Sequence, residues 1–106
     1  MSNHDWQSLG QLLDEIAPWA EATFPREGTV QKLEHLFEEI KELIDSPDDL
    51  EEWADCFSLL FDAARKQGLS STEIVTAMRA KFEKNKLRKW DDGGDNGVYH
   101  HVKENQ

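Results

Sequence analysis

Leu33, Leu36, Phe37, Ile40, Leu43 and Ile44 recur at the three- and four-residue intervals of one helix face. Trp53, Cys56, Phe57, Leu60 and Ala64 form a second stripe of the same kind. Between them stands Ser46-Pro47-Asp48-Asp49. Ser46 is suited to cap a helix and Pro47 to open one, and Asp48 and Asp49 favour the positive end of a helix dipole. Two amphipathic helices joined by so short a turn must lie antiparallel. This pair constrains the fold more than any other feature of the chain.

Two further segments carry the helical period. The first is predicted from about Asp5 to Phe24, with Trp6, Leu9, Leu12, Leu13 and Ile16 on one face. Pro18 is expected to kink or restart it, because proline lacks an amide hydrogen and crowds the preceding turn. The second helix is expected to start at a Thr29 cap and end near Asp45, and the third to run to about Gln67. Gly68 then stands where a left-handed residue stops a helix. Ser70 and Glu73 have the spacing of a capping box, opening a fourth helix that reaches about Trp90. No stretch alternates with period two. The reading is an all-α, antiparallel four-helix bundle over residues 1–90, followed by a flexible polar tail over residues 91–106. His100 and His101 lie in that tail and are expected to bind nothing specific.

The composition narrows the function. A formal net charge of −10 argues against a binder of nucleic-acid backbone, which needs a basic patch. No apolar run approaches the roughly 18 residues of a membrane span, and the start of the chain has no secretory pattern. A cytoplasmic protein is expected. Cys56 is the only cysteine, so no internal disulfide forms. A chain this short leaves much of its surface exposed, and self-association is a natural remedy.

The acids are placed with order. Glu39 and Glu42 are three residues apart and share a helix face, as do Glu52 and Asp55. At about 100° per residue, both pairs are offset alike from their apolar stripes. In an antiparallel pair, residues at one level have numbers that add to a constant. Glu39 with Asp55 and Glu42 with Glu52 share that constant, and its midpoint is Pro47, in the turn. Four carboxylates are therefore expected to meet as two facing pairs. Such a group repels itself unless a cation joins it, and an all-oxygen set suits Mg²⁺ or Mn²⁺ better than zinc. An ordinary solvated acidic face, partly screened by Lys41, is the other reading of the same geometry. His35, one turn before Glu39, borders the site or is simply solvated.

On the fourth helix Ile74, Met78, Lys81, Asn85 and Arg88 form one seam, apolar in its first half and basic in its second. Lys84 borders it. These cations fit a phosphate group, or simply favour a helix C-terminus. Trp6, Trp19 and Trp53 are read as packing residues, although a base could stack on one of them.

The motif Glu38-Glu39-Ile40-Lys41-Glu42, followed by Glu52-Trp53-Ala54-Asp55, resembles the acidic motif pair of the MazG-like all-α nucleoside triphosphate pyrophosphatases. The segments "PDDLEEWAD", "LFDAARKQGLSSTEI" and "KFEKNKLRKW" are similar to the phage-associated dATP/dGTP diphosphohydrolase branch. The resemblance covers about Val30 to Trp90. It implies Mg²⁺, with Mn²⁺ as a substitute, held by Glu39, Glu42, Glu52 and Asp55. It implies a role for Glu38 in orienting the attacking water or binding a further metal. It favours phosphate contact by Lys81 and Arg88, with Asn85 as a polar contact. The implied reaction converts a nucleoside triphosphate, dATP or dGTP by resemblance, to monophosphate and pyrophosphate. A homodimer or homotetramer is expected, with no nucleic-acid polymer or membrane as partner. The alternatives are the same chemistry on a pyrimidine triphosphate or phosphoribosyl-ATP, or a non-catalytic module whose acidic face binds a basic partner.

Overall fold

A computed structural model describes residues 8–103. It contains four helices: α1 (Leu9–Thr23), α2 (Thr29–Asp45), α3 (Leu50–Lys66) and α4 (Ser71–Leu87). Among the described residues there is no β-strand, only an isolated antiparallel bridge between Trp90 and His101. The all-α, four-helix expectation is met. Trp6 and the predicted start at Asp5 lie outside the described residues. The chain divides into two compact units, Met1–Ile74 and Val75–Gln106.

In the first unit α2 and α3 pack along their length, and α1 lies against α3. Their joint interior is small. Leu36, Leu43 and Cys56 are buried together, with Leu59 against them, and Ala20 and Ala63 are buried as well. Burial and the surrounding acids push the Cys56 thiol above the usual cysteine range.

The helix ends show what the sequence can encode locally. Ser8 Oγ accepts from the Gln11 amide and Gln11 Oε1 accepts from the Ser8 amide, closing a capping box on α1. The same reciprocal pair forms between Ser70 and Glu73 at the start of α4, as expected. Gly68 takes φ +90°. The amides of Gly68 and Leu69 donate back to the carbonyls of Arg65 and Ala64, at 2.9 and 3.0 Å, which ends α3 in a Schellman turn.

Three local expectations are corrected. The cap of α3 is Asp49, not Ser46: its Oδ1 accepts from the amides of Glu51 and Glu52. Ser46 is already committed to ending α2, its amide donating to Glu42 O at 3.0 Å, so Pro47 falls in the turn. Thr29 is the first residue of α2 rather than its cap. Gly28 takes the cap position, its amide donating to Gln31 Oε1. Finally, α1 runs through Pro18 without restarting. The helix gives up the one backbone bond that proline cannot donate.

Among the described residues the most buried side chain is polar. Lys32 is 1% exposed, and its ammonium meets Asp62 Oδ2 at 2.7 Å and Glu27 at 3.8 Å. Asp62 Oδ1 accepts from Arg65 Nε at 2.6 Å, and Glu21 on α1 receives both Arg65 and Lys66. This network ties α1, α2 and α3. Burial alone would raise the Asp62 carboxyl, but the hydrogen bonds from Arg65 and Lys32 outweigh it and hold it below the usual range. Removing one partner of such a pair leaves an uncompensated buried charge, which costs about 3 kcal/mol or more. Asp62→Ala should therefore lower the unfolding free energy by about 3 kcal/mol. Lys32→Met, which leaves Asp62 paired with Arg65, should cost less. Denaturant titration of the two variants checks the order.

Candidate metal centre

Helix α2 contributes Glu39 and Glu42, and α3 contributes Glu52 and Asp55. Their faces meet because the turn at 46–49 sets the register, which Trp53 reinforces by donating its indole Nε1 to Pro47 O at 2.9 Å. Carboxylate oxygens of Glu39, Glu52 and Asp55 all lie within 4.8 Å of one another. Glu42 stands just outside this trio but exchanges charge and hydrogen bonding with Glu39 and Glu52. Glu38 is exposed and adds its negative charge to the surroundings of Glu42.

The electrostatics are those of acids held too close to ionise together. A shared hydrogen bond with Glu39, then burial, then the charges of Glu39 and Glu42 push Glu52 up to about 7. Glu39 is lowered by the same hydrogen bond with Glu52, and His35 assists. Glu42 is raised, first by Glu39. Below about pH 7 Glu52 thus retains a proton that it shares with Glu39. Glu52 Oε2 is shielded from water and has no hydrogen-bond partner among the described residues.

These groups fit a divalent cation. Ligands about 2.1 Å from a Mg²⁺ ion are at most about 4.2 Å apart, so the trio needs little movement to close on one. The orphaned Glu52 oxygen gains a partner, and the donors are all oxygen. His35 does border the site. Its Nε2 lies 3.3 Å from Glu39 Oε1, and its Nδ1 faces Glu27 at 3.9 Å.

A cavity of about 280 Å³ opens beside the acids. Glu39 and Asp55 line one side, Lys32 and His35 another, and Ile16, Trp19 and Phe24 supply an apolar wall. Trp19 and Phe24 meet edge to face at 5.6 Å, and Trp19 stays 60% exposed. The reading from sequence did not single out Lys32, Asp62 or Phe24. A signal for the ion pair was present, because Lys32 and Asp62 share the constant sum that pairs Glu39 with Asp55. The basic seam is partly built: Asn85 Oδ1 accepts from Arg88 Nη1 at 3.2 Å, and Trp90 Nε1 donates to Asn85 O at 3.0 Å.

The sequence model for dATP/dGTP pyrophosphohydrolases matches residues 12–106. The chain belongs to this family. It is 38% identical over 100 residues to a dATP/dGTP diphosphohydrolase of cyanophage S-2L, a match covering 90% of this chain and 89% of that one. It is also 42% identical over 90 residues to the Eaa protein of Salmonella phage P22, covering 85% of this chain. There it spans only 28% of the relative's length. Among solved structures it is similar to the cyanophage S-2L MazG-like pyrophosphohydrolase bound to dGDP and three catalytic Mn²⁺ ions per active site. That match has a TM-score of 0.79 and 34% identity, and covers 92% of this chain and 99% of the other. Family membership thus agrees with the resemblance carried by the acidic motifs.

A raised carboxyl makes stability depend on pH in a definite sense. The folded chain holds a proton on Glu52 that the unfolded chain has already lost, so stability falls as pH rises from about 4.5 to about 7. With chelator present, the melting temperature of the wild type should drop across this window relative to Glu52→Gln. Adding Mn²⁺ at pH 8 should restore it in the wild type and not in the variant. Thermal melts at several pH values measure both effects.

Proposed function

We propose that this chain is a metal-dependent nucleoside triphosphate pyrophosphohydrolase acting on dATP or dGTP. The observation that carries the reading is the convergence of Glu39, Glu52 and Asp55 within 4.8 Å at the mouth of a half-apolar cavity. Family membership supports the same chemistry.

Glu39, Glu52 and Asp55 would hold Mg²⁺ or Mn²⁺, with Glu42 as the fourth carboxylate. Bound there, the metal supplies neutralising charge on the triphosphate and lowers the pKa of water. Glu38 orients the attacking water and accepts its proton. The new bond forms between that water's oxygen and the α-phosphorus, and the bond to the β-phosphate's bridging oxygen breaks. Pyrophosphate leaves and a monophosphate remains. Lys81 and Arg88 offset the phosphate charge, and Asn85 holds the Arg88 guanidinium in place. The cavity beside the acids takes the base, whose ring rests on the exposed face of Trp19.

We also infer that the chain associates with copies of itself. On α2 and α3, Phe37, Ile44 and Phe57 are 62%, 71% and 56% exposed. So much apolar surface on a pair of helices is the mark of an interface.

Two measurements test these readings. A panel of triphosphates assayed with and without Mg²⁺, with pyrophosphate detection, should show metal-dependent turnover favouring dATP or dGTP. Glu39→Gln and Asp55→Asn should each reduce it by at least about 100-fold, beyond the range seen for outer-shell changes. Full turnover in both variants rejects the site. For association, sedimentation should give a dimer or tetramer, and the Phe37→Glu/Phe57→Glu double variant should shift it to smaller species.

A further inference from the structure

The residues after α4 fold back on its end. Trp90 bridges His101, with the Val102 amide donating to Lys89 O at 2.7 Å and the Asp91 amide to His100 O at 3.0 Å. The Trp90 and His101 rings meet edge to face at 6.1 Å. Asp91 Oδ1 accepts from the amides of Gly93 and His100, which closes the intervening turns.

This fold-back has a consequence for charge. It delivers His101 and Lys103 to Lys84 in the last turn of α4 and to Arg88 just beyond it. Together they line a cavity of about 510 Å³ that has Lys89 on its wall and no carboxylate. Lys81 lies close enough for its ammonium to be lowered, first by the charge of Arg88 and also by Lys84. Other cations of α4 are neutralised within the helix, since Arg79 and Lys86 both pair with Glu83. Lys81, Lys84, Arg88 and Lys103 have no ion pair among the described residues. In a chain of net charge −10, like charges gathered this way oppose folding unless an anion joins them. The preference of cations for a helix C-terminus explains Lys84 and Arg88. It does not explain why a separate segment brings two more.

We propose that His101 and Lys103, returned by the Trp90 bridge, complete with Lys84 and Arg88 a binding seat for the phosphates of a pyrophosphate or triphosphate group. Arg88 is the planar donor at its centre, steadied by Asn85. The proposal rests on the reading of Arg88 as a phosphate contact and adds the C-terminal segment to it. His101 makes the seat responsive to pH. The groups facing it are Arg88 just beyond α4, Lys81 and Lys84 from α4 and Lys103 from its own segment, all cationic; Arg88 first, then burial, then the others hold its imidazole below the usual range. Asp91, next to the bridged Trp90, is engaged with His100 instead. An anion in the seat reverses the local field, so binding takes up a proton on His101.

The test is a titration of the full chain with inorganic pyrophosphate in the presence of chelator, following the histidine ring signals by NMR. Saturable shifts of the His101 signal are expected, with its pKa higher in the bound state. His101→Ala and Lys103→Ala should each weaken pyrophosphate binding by roughly 10-fold, the scale of one charge-assisted hydrogen bond. His100→Ala should leave it unchanged. The affinity lost in His101→Ala should be larger at pH 6 than at pH 8, where pyrophosphate's own ionisation is common to both proteins. Metal-free dATP should shift the same signal if the seat takes the substrate's phosphates as well as the product. An unshifted His101, equal loss in His100→Ala, or tighter binding of single-stranded DNA than of pyrophosphate overturns the inference. Hydrolysis read separately keeps the outcomes apart. A chain that turns over triphosphates without metal-free pyrophosphate binding defeats this proposal alone. One that binds pyrophosphate and hydrolyses nothing defeats the proposed function alone.

Discussion

The antiparallel pairing of α2 with α3 is the constraint on which the first unit depends. Its register is fixed where the chain turns, by Ser46 ending one helix, Asp49 capping the next and Trp53 gripping Pro47. An N-cap of this kind is worth about 1 kcal/mol, a modest energy with a large geometric effect. A slip of one residue would rotate one helix by about 100° and take its acids away from those of the other. The same register carries the Lys32–Asp62 pair, the acid cluster and the buried contacts of Leu36, Leu43 and Cys56.

Along that seam the chain alternates two opposed electrostatic solutions. Around Asp62 the charges are complementary, and a buried carboxylate is kept ionised by Arg65 and Lys32. Near Glu52 the acids crowd one another, and the hydrogen bond with Glu39 pushes the Glu52 carboxyl up to about 7. The first arrangement pairs opposite charges without a ligand and fastens α1, α2 and α3 together. The second is incomplete without a cation. A stable ion network beside an unstable one lets the site carry repulsion that the small apolar interior could not restrain by itself.

Legibility from sequence followed the range of the interaction. Contacts within a few residues could be read: the Ser70–Glu73 box, the Gly68 stop and the three-residue spacing of each acid pair. The facing of Glu39, Glu52 and Asp55 was readable too, because one turn determines it. Competition between neighbouring signals was harder. Ser46 can open α3 or close α2, and only the structure shows that it closes α2. Lys32 escaped notice because a lysine within an apolar stripe is usually solvent-facing, and its partner Asp62 lies thirty positions away. The folding back of His101 onto Trp90 depends on loops with no periodic pattern. Three positive-φ glycines, Gly93, Gly94 and Gly97, mark those loops without saying where they lead.

Cys56 sits inside the hairpin with the acid cluster around it. Desolvation and negative neighbours both disfavour its thiolate, the form that reacts with peroxides and alkylating agents. The sulfur is therefore chemically quiet while the two helices are joined. It becomes vulnerable only when they part, so oxidative damage at this position falls on molecules that have already lost their register.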